Sequence, residues 1–282
     1  MPTGWRKRLH QFGLYYPLLH TRQVLKQRWL LMQYRLTRPP HSQGTYACNI
    51  CRRRYTRMVP WWPPATYAPA LNQHQVMAGY GPQAICPGCL STYRQRLMVA
   101  AIQHYLQPAN LHILHFAPEA PVYKALARHN TVTAVDIEPQ LYKPVAPQCQ
   151  YANATQLPFA SHSFDMVVAN HILEHIKNDH LALSEMYRVL KPGGIAVLQV
   201  PLTGPGLPHV EQPELPTPAQ AIALYGQPDH VRIYSLQSWQ QRVALAGFTP
   251  KMVAADQFVP AQVCVQAAED LLLALKPAMP QT

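Results

Sequence analysis

From Leu111 onward, short apolar runs alternate with stretches whose apolar residues recur every three or four positions. "LHILHF" (111–116) and "TVTAVD" (131–136) predict short strands, and the more continuously apolar "FDMVVAN" (164–170) and "IAVLQV" (195–200) predict buried ones. Between them, "VYKALARH" (122–129) and "DHLALSEMYRVL" (179–190) predict helices, the second with Ala182, Met186, Val189 and Leu190 on one face. That helix is expected to stop at "KPGG", where Lys suits the negative end of the dipole and Pro and Gly forbid continuation. "SLQSWQQRVALAG" (235–247) predicts a further helix capped by Ser235 and ended by Gly247, with "FTPKMVAAD" (248–256) and "EDLLLALKP" (269–277) as a closing strand pair. Strands and helices in alternation imply a mostly parallel sheet with helices on both faces.

The segment before Leu111 has a different texture. "STYRQRLMVAAIQHYL" (91–106) places Met98, Ile102, Tyr105 and Leu106 at helical spacing behind Ser91 as a candidate cap. Residues 46–90 are loop-rich, and residues 4–38 interleave Leu, Trp and Tyr with Arg and Lys. Such an arm can wind into a basic helix that either packs on the main domain or touches acidic lipid or RNA. The expected organisation is an arm over 1–45, a small module over 46–92 and the main domain over 93–282. Residues 201–228 hold seven prolines and read as a long connection of the kind that forms lids or partner-binding segments, with a short helix after Thr217 and Pro218.

Charge sharpens the division. Residues 1–118 carry fourteen Lys or Arg and no acid, whereas the rest carries ten basic and thirteen acidic residues, so the net +11 belongs to the N-terminal part. That asymmetry points to an anionic partner, either RNA or an acidic membrane surface. No apolar run approaches the ~18 residues of a membrane span. Without a recognisable secretory leader, the expected compartment is the cytoplasm, with peripheral membrane contact through the arm as an option.

Four of the six cysteines form two C-x2-C pairs, Cys48 with Cys51 and Cys86 with Cys89, separated by 34 residues. Two such pairs can complete a tetrahedral thiolate shell for a structural Zn2+, which leaves no open coordination position for catalysis. Disulfides and a redox pair are the competing readings.

Several predicted strands end in polar residues, and in an open parallel sheet ligands bind beyond those ends. Asp136 closes the second strand, where an acid can accept both ribose hydroxyls, and Asn153 in "YANATQLPF" and Asn170 in "NHILEH" follow the third and fourth. This series, strongest in "LPFASHSFDMVVANHILEHI" and "EMYRVLKPGGIAVLQVP", resembles the class I S-adenosylmethionine-dependent methyltransferases, type 11-like, over roughly residues 111–275. "LHFAPE" (114–119), "NHILEH" (170–175), "DHVRIY" (229–234) and the cysteine pairs are similar to a bacterial subset of that family. The resemblance implies a Rossmann-like fold with a mostly parallel seven-stranded sheet, preceded here by the small zinc-binding module. It implies S-adenosyl-L-methionine as cofactor, with Asp136 and Ile137 at the ribose, Asn153 and Ala154 at the adenine and Asn170 at the methionine end.

The first loop departs from the family, which has an acid followed by glycines where this chain has His115, Phe116, Ala117, Pro118 and Glu119. A cofactor without phosphate does not need a nest of backbone amides. Ala117 is small enough for close approach, Pro118 presets the turn, Glu119 is placed to pair with the cofactor's ammonium and His115 to face its carboxylate. For the reaction, His171, His175 and His230 are the candidate bases, with Arg232 as a possible anchor for an anionic acceptor. Three functions are compatible: methylation of a hydroxyl of a small molecule or glycan, methylation of RNA gripped by the arm and module, or a non-catalytic scaffold built on the cofactor fold.

Overall fold

The computed structural model describes residues 44–257 and 270–278, apart from Ala78, Gln107 and Pro108, together with Trp29, Met32, Gln33, Val259 and Val263. Apart from Trp29, Met32, Gln33, Gly44 and Thr45 the basic arm lies outside the described residues, as does Cys264.

The described chain opens with two short antiparallel pairs. β1 (Tyr46–Ala47) faces β2 (Arg54–Tyr55), with Tyr46 opposite Tyr55, and the turn between them carries Cys48 and Cys51. β3 (Val59–Trp61) faces β4 (Gly81–Ile85) across an insertion that includes α1 (Ala68–Gln73), and Cys86 follows β4 directly. Each C-x2-C turn ends on a residue in the left-handed region, Arg52 at φ 60° and Leu90 at φ 62°. Gly88 is required in the second turn, because a Cβ there would lie 2.1 Å from the Tyr55 hydroxyl.

The main sheet follows in the expected alternation: α2 (Tyr93–Leu106), β5 (His112–Phe116), α3 (Ala120–Leu126), β6 (Thr131–Asp136), β7 (Gln150–Tyr151), β8 (Phe164–Asn170), α4 (Asp179–Val189) and β9 (Leu190–Gln199). After it come β10 (Val210–Glu211), α5 (Pro218–Tyr225), β11 (Arg232–Ile233), α6 (Leu236–Leu245), β12 (Thr249–Val253) and β13 (Leu271–Leu275). Seven strands form one sheet in the order β12-β13-β9-β8-β5-β6-β7. β5 to β9 are parallel, while β13 runs antiparallel to both β9 and β12. The fold is therefore the Rossmann-like, mostly parallel seven-stranded sheet flanked by helices.

Local sequence explains the ends. Asn178 accepts the Leu181 amide to start α4, Ser235 accepts the Ser238 amide to start α6, and Thr217 and Gln220 close a reciprocal capping box on α5. Ser91 does not cap α2 as the spacing predicts. The Gln95 side chain receives the Thr92 amide instead, and the Ser91 hydroxyl turns toward the sulfurs of Cys48 and Cys89 at 3.4 and 3.2 Å. In "LKPGG" the chain enters β9 already at Leu190, and Gly194 is needed because a Cβ would meet the Lys191 carbonyl at 2.8 Å.

The sheet sorts its residues by alternation. Leu114, Val167 and Leu198 face a core completed by Met186, Trp239 and Val243, whereas Ile113, Val168 and Leu273 face Met98 and Ile102 of α2. Cys48, Ile50, Tyr55, Met58 and Cys86 belong to that second core. The cysteine module thus shares its apolar interior with one face of the sheet.

The proline-rich connection is fixed rather than loose. β10 pairs with β11, and the fully buried Arg232 donates to Glu211 and to the carbonyls of Leu173, Ile176 and Lys177. Arg242 bridges Asp179 and Glu211, each at 2.7 Å. Burial opposes ionisation of Glu211, but Arg232, His209 and Arg242 outweigh it and hold its carboxyl down at about 2. Arg232 is therefore a structural clamp and not the anchor for an acceptor that its place in "DHVRIY" led us to expect. No helix among the described residues is long and apolar enough to cross a membrane.

Candidate functional site

Strand order reverses at β5, with β6 and β7 on one side and β8 and β9 on the other, so the crevice of the sheet opens beyond the ends of β5 and β8. A cavity of about 570 Å³ lies there, within the usual range for a small-molecule site. It brings together Ala117, Glu119, Asp136, Ile137, Asn153, Ala154, Asn170, His171, His175 and His230, all of them expected from the sequence. His115 and Pro118 do not line it.

The glycine-free loop reaches a glycine conformation without glycine. Ala117 adopts φ 43°, a left-handed value that costs an L-residue with a Cβ about 1–2 kcal/mol. Its amide still donates to the Val135 carbonyl at 2.9 Å, tying the turn to β6. Ala117→Gly should relieve this strain, partly offset by the greater freedom of glycine in the unfolded chain. We expect a rise of roughly 2 °C in the thermal midpoint for a net gain below about 1 kcal/mol. A lower midpoint would mean that the Ala117 methyl contributes more by packing than its backbone loses.

The loop aims Glu119 across the crevice. Its carboxylate accepts from Arg94 at 3.1 Å, from Gln95 at 2.7 Å and from the Asn170 side-chain amide. Burial disfavours the charged form of Glu119, but Arg94, Gln95 and Asn170 more than compensate and lower its pKa. Asn170 is 5% exposed and its Oδ1 has no hydrogen-bond partner among the described residues. A carboxylate and an unanswered carbonyl oxygen on adjacent sides of a crevice suit an ammonium group.

His115 is sealed beneath this loop at 0% exposure, against Tyr123 at a ring distance of 6.4 Å. Burial pushes its pKa down to about 4 despite Glu119 nearby. Strand alternation explains the correction: Phe116 lines the cavity, so His115 points to the other face and cannot meet the cofactor's carboxylate. The cation at the crevice is Arg94, which the sequence reading missed. One signal was available, because a basic residue in the first turn of a helix opposes the dipole and so needs another reason to be there.

At the far side, Asp136 accepts the Glu138 amide at 2.7 Å, and burial raises its pKa against that bond. Asn153 uses its carbonyl on the Thr155 amide and hydroxyl, which leaves Nδ2 as a donor. The residues present therefore fit S-adenosylmethionine from end to end: Glu119 and Asn170 for the amino acid, Asp136 with Ile137 for the ribose, Asn153 with Ala154 for the base.

His171, like Ala117, is left-handed, at φ 53°. Its Nδ1 lies 2.9 Å from Oε1 of Glu174, a carboxylate with 0% side-chain exposure. Burial and then Arg94 push the His171 pKa down while Glu174 opposes them, so the ring is neutral near pH 7. A neutral ring that donates through Nδ1 keeps Nε2 as its acceptor, which is the form a general base requires. His175 and His230 stack edge to face at 4.8 Å beside the dyad.

The cysteines converge as spacing predicts. Cys48 and Cys89 Sγ are 3.6 Å apart, and Cys51 and Cys86 Sγ 3.7 Å. A tetrahedron with Zn–S bonds of ~2.3 Å has edges of ~3.8 Å, whereas a disulfide needs ~2.05 Å. The four-cysteine cluster therefore fits a zinc ion.

Strand order, crevice and donor set are together similar to those of a class I S-adenosylmethionine-dependent methyltransferase domain. A family model described as "Methyltransferase domain" matches residues 119–198, the span from Glu119 through β9. Within known proteins, the chain is 31% identical over 110 residues to a demethylmenaquinone methyltransferase of Staphylococcus haemolyticus, covering 36% of this chain and 42% of that one. It is 54% identical over 43 residues to the ubiquinone/menaquinone biosynthesis C-methyltransferase UbiE of Haemophilus ducreyi, covering 15% and 17%. The chain thus spans less than half the length of these relatives. Among solved structures, YcgJ of Bacillus subtilis aligns with a TM-score of 0.46 at 17% identity, over 64% of this chain and 98% of that one.

Proposed function

We propose that this protein transfers the methyl group of S-adenosylmethionine to a hydroxylated small molecule or glycan. The observation that carries the reading is the His171–Glu174 pair on the wall of the cavity that Glu119 and Asp136 also line. Methyl transfer from a sulfonium is an in-line displacement, so the protein has to align donor and acceptor and to remove the acceptor's proton. The cofactor supplies the electrophilic methyl. Glu119, Asn170 and Asp136 fix its two ends, Glu174 holds the His171 tautomer, and His171 receives the hydroxyl proton.

The quinone C-methyltransferases among the relatives favour a second reading, in which the same base ionises a phenol and a ring carbon takes the methyl. In either case the acceptor carries a hydroxyl whose proton His171 removes. The exposed Arg52, Arg53, Arg54 and Arg57 on the cysteine module supply a surface for an anionic partner such as RNA or acidic lipid.

Calorimetric titration with S-adenosylmethionine tests the reading directly. We expect one site per chain, weakened roughly tenfold or more in Asp136→Ala by loss of charge-assisted bonds to the ribose. No heat from the intact protein would leave only the scaffold reading. Labelled-methyl transfer to catechols, phenols and glycans, with the product resolved as O-methyl or C-methyl, then separates the two chemistries.

A further inference from the structure

Glu174 uses one carboxylate oxygen on His171, and the other, Oε2, has no hydrogen-bond partner among the described residues, although the residue is fully buried. An ionised carboxylate with a bare oxygen in the interior is costly unless something positive meets it. What faces it is not a Lys or Arg but two imidazoles. Glu174, His175 and His230 each present a ligand atom within 4.8 Å of the others, on the wall of the cavity. His230 is 3% exposed and its Nδ1 is likewise without a partner.

The surrounding contacts orient these side chains in the way metal ligands are oriented. His175 Nδ1 is backed by the Asp229 carbonyl at 3.2 Å and the Asp229 carboxylate at 3.4 Å, which directs Nε2 away from them. Glu174 Oε1 is pinned by His171, which presents Oε2. A carboxylate behind a histidine and a hydrogen bond behind a carboxylate are the partners that fix tautomer and direction in metal sites.

We propose that Glu174, His175 and His230 bind a divalent transition-metal ion, such as zinc or iron(II), with an open coordination position toward the cavity. Two imidazoles and one carboxylate suit these ions. Three protein ligands leave room for an exogenous oxygen, in contrast to the closed thiolate shell of the cysteine module. The metal assignment stands on this geometry alone. Its use, to orient an acceptor oxygen beside His171, rests on the methyl-transfer reading.

The test uses the full chain with one zinc per molecule in the cysteine site, titrated with Co2+ and followed by calorimetry and visible absorption. We expect one additional cobalt ion per chain, with weak d–d bands and without the intense sulfur-to-metal absorption that cobalt in the thiolate site would give. His175→Ala and His230→Ala should each weaken that uptake at least tenfold. The His175 side chain is one-third exposed, so its variant keeps the test meaningful if the one at buried His230 fails to fold. No uptake, uptake only with the sulfur bands, or uptake unchanged in the folded variants would overturn the assignment. Titration of the same samples with S-adenosylmethionine separates the two readings. In the intact protein, cobalt uptake without cofactor binding sinks the methyl-transfer reading, and cofactor binding without cobalt uptake sinks the metal site.

Discussion

Glu119→Gln is expected to weaken S-adenosylmethionine about a hundredfold while leaving the fold intact. Two losses add. The cofactor's ammonium loses its ionic partner, and a charge-assisted bond is worth about twice a neutral one. Arg94, which donates to Glu119 at 3.1 Å from a side chain only about one-fifth exposed, loses its counter-charge in the same step. Removing one member of a partly buried pair is the costly way to break it, and a hundredfold corresponds to about 2.7 kcal/mol. Glutamine keeps the shape and retains an oxygen for Gln95, so the circular dichroism spectrum should not change. Unchanged affinity in a calorimetric titration would mean that the loop positions the cofactor by backbone alone.

Cys86→Ser is expected to act more broadly. A zinc ion held by the four-cysteine cluster would lose one of its thiolates, and binding of such an ion in small folded sites is worth on the order of 10 kcal/mol. Because Cys48, Cys86, Tyr55 and Met58 pack into the core that also contains Ile102, Ile113 and Leu273, the damage should reach the sheet. We expect a fall of more than about 10 °C in the thermal midpoint, from several kcal/mol lost in a domain of this size. Cofactor affinity should fall as well, since Arg94 and Gln95 leave the second cysteine turn only five and six residues after Cys89. Metal analysis, thermal unfolding and cofactor titration of the same sample check all three. Full cofactor affinity in zinc-free protein would show that the sheet sets Glu119 without help.

What the sequence made legible follows from how local each signal is. The strands and helices announce themselves by periodicity within a single window, and polar residues at strand ends mark a cofactor edge because the sheet buries everything else. Asp136, Asn153 and Asn170 could be read in this way. The side of the sheet that His115 faces could not, because it depends on counting from Phe116, whose own place is set only when β5 is registered against β6 and β8. Arg94 was illegible for a related reason. It is 25 residues from Glu119, and no local pattern connects a helix start in one segment to a turn in another. Arg232 was misread because "DHVRIY" reports a charged residue near the site without reporting that Glu211, Asp179 and three carbonyls already enclose it.

That enclosure bears on how molecules pass in and out. A flap that admits and releases ligands has to break its own contacts at each turnover, and here those contacts include a fully buried guanidinium, which is costly to leave in the interior without its carboxylate and carbonyl partners. The stretch from Val210 to Ile233 is therefore tied down at both ends, by the β10–β11 pair and by Arg232. Gln227, Asp229 and His230 from this stretch line the cavity, so part of its wall is carried by a segment anchored at both ends.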